Sequence, residues 1–326
     1  MSSLVVLRGR VEKKGGKRRS LQNRRSALLN MPIDLIREIT DKLSPADKII
    51  FATTCRPIRN TIGQARFEYL ASMCRDMPNH WVCEECMQYH CIDTSDTPVE
   101  SCPTCPLANS HGRYNQPLKL IPGDEYELGR RHVQLALKYI RMGDSLLPRH
   151  RLYLRRLMAA RQYSLSYPWE TKLMITAKII PRIVEGRFLL RSICEYRQSS
   201  QPVTKELIAS ESVCQHQQFF PLQDDVWSSD PFHQDLRQFH KAVHDSFESP
   251  GIEMRSHCPH CFTDFSVTTT KKIIRVSVWM DLGTESSPLD PFWHSFVFNP
   301  DLRPPEEVEY NEPGRVRELY SSEEEE

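Results

Sequence analysis

Met31-Pro-Ile-Asp-Leu-Ile-Arg-Glu-Ile-Thr-Asp-Lys-Leu-Ser-Pro-Ala-Asp-Lys-Ile-Ile-Phe-Ala-Thr-Thr-Cys-Arg56 spells two short helices and the turn between them. Pro32 suits a first helical turn, where its missing N–H costs nothing. Leu35, Ile36, Ile39 and Leu43 recur at helical spacing and form one apolar stripe. Ser44 is an N-cap, Pro45 takes the first helical position, and Asp47 falls in the favourable first turn. Ile49, Ile50, Phe51 and Ala52 leave the second helix with little wet surface, and Pro57 ends or kinks it. A third helical run, 58–74, carries Ile62, Phe67, Leu70 and Met73. Roughly forty residues cannot bury this much apolar surface among themselves. The surplus must pack on the rest of the chain or on another protein.

In order, the stretch holds Leu29, the pair Met31-Pro32, an acidic residue, an Ile-containing helix, the turn Leu43-Ser-Pro-Ala-Asp47 and a closing Cys55-Arg56. This pattern resembles an F-box, the adaptor-docking module of ubiquitin ligase subunits. The resemblance implies a three-helix module that binds a Skp-type adaptor. Through that adaptor it implies a cullin–RING complex, with the remaining chain recruiting a protein substrate. The residues implied for adaptor docking are Leu29, Pro32, Leu35, Ile36, Ile39, Leu43 and Ile50. Pro57 departs from the family pattern and is expected to shorten the second helix.

At 326 residues the chain has room for two or three units, and its net charge of +1 gives no general pull toward nucleic acid. Charge is segregated to the ends: 8–25 is basic and 306–326 is acidic. Both ends read as unstructured, with Lys13 to Arg19 either a nuclear import signal or a merely solvated tail. No signal-peptide core and no membrane-length apolar run is seen, so cytoplasm or nucleus is the expected location. In that compartment eleven cysteines, an odd number, argue for metal or free thiol over a disulfide framework.

Trp81-Val-Cys83-Glu-Glu-Cys86 is followed, after fifteen intervening residues, by Cys102-Pro-Thr-Cys105. Two such C-x2-C knuckles aim four thiolates at one ion, so Cys83, Cys86, Cys102 and Cys105 are the expected ligands of a structural zinc. His80, His90 and Cys91 lie close enough to replace one thiolate. Cys214-Gln-His216 and Cys258-Pro-His-Cys261 suggest a second, Cys3His site built from Cys214, His216, Cys258 and Cys261. His257 and His260 are its alternate donors. A RING-type ligase needs about eight ligands in cross-braced order, more than either segment offers.

The spacing predicts a helix over 126–142, capped by Asp124, whose Arg130, Arg131, Lys138 and Arg141 form a solvated face. The span 149–162 reads as a second helix or a basic loop. From Trp169 the texture changes to strands, at 172–184, 187–196, 262–269 and 273–281. In the last of these Ile274, Val276, Val278 and Met280 alternate with Arg275, Ser277, Trp279 and Asp281, as in a half-buried strand. A short helix is expected over 231–247, and Cys194 reads as a buried small hydrophobe within a strand.

The F-box pattern, Trp81-Val-Cys83, His132-Val-Gln-Leu-Ala-Leu-Lys138, Arg187-Phe-Leu-Leu-Arg191, Cys258-Pro-His-Cys261 and Trp279-Met-Asp-Leu-Gly283 together resemble the uncharacterised cysteine-containing F-box proteins of filamentous fungi. The expected class is α+β: an F-box (28–75), a zinc-knuckle segment (76–122), a helical region (123–168) and a β-rich domain (169–300), between a basic tail (1–27) and an acidic one (301–326). No phosphate loop, nucleophile elbow or H-E-x-x-H motif is present, so a non-catalytic adaptor is expected. A zinc-stabilised nuclear binding module acting outside the ligase is the alternative.

Overall fold

A computed structural model describes residues 31–43, 47, 50–51, 70–83, 86, 88–105, 118–119, 126–167, 173–199, 201–208, 211–219, 237–285, 291–296 and 312–322. The chain divides into two compact units, Met1–Tyr69 and Leu70–Glu326. In the first, helix α1 runs over Ile33–Lys42. The Pro32 carbonyl accepts the Leu35 and Ile36 N–H groups and starts the helix one residue after the proline. Asp34 in the first turn and Lys42 in the last complement the helix dipole, and Lys42 pairs with Glu38 one turn back at 3.1 Å. Most of the expected second and third F-box helices, and Leu29 before them, lie outside the described residues.

The second unit spans the cysteine segment, the helical region, the β-rich region and the acidic end. Strands β1 (His80–Cys83) and β2 (Gln88–Cys91) form a hairpin, and β3 (Leu118–Lys119) pairs with β4 (Glu127–Leu128). Helix α2 (Arg130–Met142) follows, with Gly129 as its N-cap, so it starts four residues later than the expected 126 and its cap is not the expected Asp124. Helix α3 (Pro148–Leu157) settles the choice between helix and loop, with Pro148 in its first turn. Tyr139 of α2 meets Tyr153 of α3 edge-on, with ring centres 6.1 Å apart.

The main sheet comes next: β5 (Arg161–Tyr167), β6 (Leu173–Val184), β7 (Arg187–Gln198), β10 (Glu253–His257), β11 (Thr263–Thr269) and β12 (Ile273–Asp281). The hairpin β8 (Ser212–Cys214) and β9 (Gln217–Gln218), then helix α4 (Gln238–Glu248), lie between β7 and β10 in the chain. All neighbours in the sheet are antiparallel, in the order β5-β6-β7-β12-β11-β10. Two meanders are thus joined edge to edge through β7 and β12. Glu185 and Gly186, both at positive φ, close the β6–β7 turn, as a two-residue hairpin of this twist requires.

Alternation decides what covers each face. Helix α4 lies on one: Phe239 packs edge-on against Phe265, and Ser246 shares a hydrogen bond with Thr269. On the other lies α6 (Arg315–Ser321), after the short α5 (Pro291–His294). Asp264 accepts the Gly314 and Arg317 N–H groups through its two carboxylate oxygens, holding the start of α6. Gly314 sits at φ 90°, a conformation that favours glycine. Val316 and Tyr320 are buried, so the acidic end carries a docked helix where an unstructured tail was expected. Ser277, Trp279 and Asp281 on this face are buried as well while Arg275 stays exposed, so β12 is covered on both faces over its second half only.

Candidate functional site

The apolar stripe of α1 splits in two. Ile36 and Thr40 are buried, and the Thr40 hydroxyl donates to the Ile36 carbonyl at 2.7 Å. Ile36 is thus covered, unlike its neighbours in the stripe. Leu35 is 44% and Ile39 37% exposed, four residues apart on one face, and Ile50 is 65% exposed. Pro32 is exposed and Leu43 half-buried. Of the residues expected to dock, Pro32, Leu35, Ile39 and Ile50 present themselves to solvent.

The first cysteine cluster grows from the β1–β2 hairpin. The ligand atoms of Cys83, Cys86, His90 and Cys105 all lie within 4.8 Å of one another. Cys83 ends β1, Cys86 sits in the turn, and His90 returns on β2 opposite Trp81. The Cys83 and Cys105 sulfurs are 3.6 Å apart, and Cys86 Sγ is 2.9 Å from His90 Nε2. The edge of a tetrahedron with zinc–sulfur bonds of ~2.3 Å is roughly 3.8 Å, so the spacing is right for one ion. Burial pushes the Cys86 thiol up and the His90 ring down, which keeps His90 neutral and free to donate a lone pair.

Cys102, the expected fourth ligand, is outside this group. It is exposed, with its sulfur 3.2 Å from the Ser95 hydroxyl, and His90 takes its place. The reason is local. The Asp96 carboxylate accepts the Cys102 N–H and turns that residue away, while Cys105 three positions on is buried beside Cys83. His80 and Cys91 pair with each other at 3.7 Å, also outside the group.

Asp96 anchors the whole loop. Arg131 grips both its oxygens, at 2.6 and 2.8 Å, and His132 Nε2 approaches at 3.3 Å. Burial alone would raise the Asp96 pKa, but the hydrogen bonds from Arg131 and His132 prevail and hold it far below the carboxylate range. His132 Nδ1 accepts the Gly129 N–H at 3.1 Å, so the ring is fully used as a neutral donor–acceptor. Burial takes its pKa down to about 4. Lys138 is buried too, its ammonium donating to the carbonyls of Cys74 and His80. Arg130 donates to the carbonyls of Leu282 and Thr284. The basic face of α2 expected in solvent is thus the seam between the cysteine segment and the sheet; only Arg141 stays near the surface, paired with Glu285 and Asp76.

The second cluster gathers all four expected residues. The ligand atoms of Cys214, His216, Cys258 and Cys261 lie within 4.8 Å of one another. Cys214 ends β8 and His216 sits in the turn to β9; Cys258 and Cys261 bracket the β10–β11 turn. The His260 N–H points at Cys258 Sγ, 3.4 Å away, as in a metal-binding knuckle. His257 and His260 themselves are outside the group. Hydrogen bonds from Cys214 and Cys261 pull the Cys258 thiol far down, while burial pushes Cys214 and Cys261 far up. Three buried thiols that resist ionising together are an arrangement that a dication would complete by allowing all three to ionise. His216 Nδ1 is buried without a hydrogen-bond partner, a further fit to a cation.

Both groups can hold a metal ion, and their thiolate-rich donor sets are compatible with zinc. Four protein donors leave no open position, which suits a structural ion and not a hydrolytic one. No described helix is long and apolar enough to cross a membrane. Cys194 is buried in β7 as expected, its thiol pushed up to about 12 by burial.

The F-box domain family matches residues 28–69. No curated protein and no solved structure matches the chain.

Proposed function

We propose that the chain is a substrate-recruiting subunit of a cullin–RING ubiquitin ligase, working from the F-box at residues 28–69 as premise. The observation that carries this reading is the exposed pair Leu35 and Ile39, with Ile50, inside the matched segment. Large aliphatic side chains exposed together on one helix face, as Leu35 and Ile39 are, suit a site that a partner covers. The Skp-type adaptor is that partner, contacted through Leu29, Pro32, Leu35, Ile39, Leu43 and Ile50. The unit from Leu70 onward recruits the protein substrate, and two structural zinc ions stiffen it. The chain acts without catalysing a reaction itself, in the cytoplasm or nucleus. Its resemblance to the cysteine-containing fungal F-box proteins rests on sequence motifs alone.

Co-purification with a Skp-type adaptor tests the reading. The full chain should associate, and the double substitution Pro32→Ala with Leu35→Glu should abolish association while leaving metal content and melting temperature unchanged. A folded full chain that shows no association overturns it.

A further inference from the structure

The sheet face that carries α6 is only partly covered. Beside the helix remains a cleft of about 570 Å³, floored by β6, β7, β12 and β11, in the size range of ligand sites. Its charge is unbalanced. Arg275 is paired with Glu195 at 2.6 Å, and Arg317 of α6 with Glu253 at 3.4 Å. Lys178 and Arg191 also line the cleft, and among the described residues neither has a carboxylate partner. They stand on adjacent strands, where Lys178 is opposite Ile193 and Ile180 opposite Arg191, so the two cations are diagonal neighbours.

Arg191 is also held in place. Its guanidinium lies 5.2 Å from the centre of the Trp279 ring, and Arg317 lies 5.0 Å from the same ring. Trp279 is 4% exposed, and its indole N–H has no hydrogen-bond partner; neither does Arg191 Nε. Buried donors in native proteins are nearly always satisfied. The unmet donors mark a tightly packed, positively charged wall, and Lys178 and Arg191, two cations without carboxylate partners along one cleft, leave a place for acceptor oxygens carrying negative charge. A stacked guanidinium loses little freedom on binding, which favours it as the anchor.

We propose that this cleft binds an acidic segment of a partner protein, its carboxylates seated on Lys178 and Arg191. The proposal rests on the recruiting role and narrows the substrate to proteins that display runs of Asp or Glu. Charge complementarity sets this occupant, as it does wherever arginine clusters read acidic motifs.

The test is fluorescence anisotropy on the full chain without adaptor, titrated into labelled hepta-glutamate, with hepta-glutamine as control. Saturable, salt-sensitive binding of the glutamate peptide is expected. Arg191→Gln should weaken it at least tenfold and Lys178→Gln several-fold. Lys178 is exposed, so its variant remains informative should the Arg191 variant fold poorly. Binding that survives both substitutions belongs to the basic stretch 8–25 and overturns the proposal. So does equal binding of hepta-glutamine, or binding that appears only after removal of Glu323 to Glu326, which would assign the cleft to the chain's own acidic end. Adaptor association is measured separately, so either idea can fail while the other stands.

Discussion

The two cysteine clusters have the same donor set, three thiols and one imidazole, yet they are built in opposite ways. The first hangs from a small hairpin and a loop, and a buried ion pair between Asp96 and Arg131 grips that loop independently. The second joins two turns of different hairpins, β8–β9 and β10–β11, with its thiols at 0–6% exposure. The first therefore has a metal-independent anchor beside it. The second has no such anchor among the described residues, and a bound ion would neutralise its knot of buried sulfurs. A metal can be one fastening among several, or the one that makes a buried site tolerable.

The largest test of this contrast is Cys258→Ala. It should remove one of two zinc equivalents and cost more than about 4 kcal/mol, since it breaks a buried site with no substitute anchor. Elemental analysis and urea denaturation read both effects. Asp96→Ala should follow, at about 3–5 kcal/mol, by leaving Arg131 buried and unpaired. Both zinc equivalents should remain; loss of the first cluster's ion would show that its anchor is not independent.

Acid should act on the same anchor. Folding lowers the His132 pKa from 6.5 to about 4, so the neutral ring is the folded form. That contribution is complete above the unfolded value and is lost as pH falls through the window between the two, about 3 kcal/mol in all. Asp96, held lower still, adds its loss below its own unfolded value of 3.8. Urea midpoints measured across this range, with metal content followed in parallel, should show the slope, and His132→Gln should flatten it. The smallest effects separate the first cluster's grouped residues from the ligand expected from sequence. His90→Ala should release one zinc equivalent at a cost of about 2 kcal/mol, whereas Cys102→Ala should keep both and change stability by less than about 0.5 kcal/mol.

What could be read from the sequence follows the range of the signal. Strands β6, β7, β11 and β12 came through because alternation and β-branched side chains act within a few residues. The second cluster was legible from donor types, although Cys214 and Cys258 are far apart, because each turn carries its own short pair. In the first, the double C-x2-C outweighed C-x2-C-x3-H, and nothing within the knuckle reveals that Asp96 diverts Cys102. The same limit explains α2. Arg131 and Lys138 look solvated until partners at Asp96, Cys74 and His80, all distant in the chain, are known. In the last helix, flanking glutamates masked Val316 and Tyr320, whose four-residue spacing was the available clue. The sheet cleft had no sequence signature, since Lys178, Arg191 and Trp279 become neighbours only through strand pairing.

The late position of α6 has a consequence for synthesis. Residues 282–314 separate it from the last strand, so a growing chain completes the sheet while the Trp279 side is still bare. A message interrupted within that interval would yield a fully paired sheet with one naked aromatic surface. Cellular surveillance would meet such a product as unfinished, however well its strands had zipped.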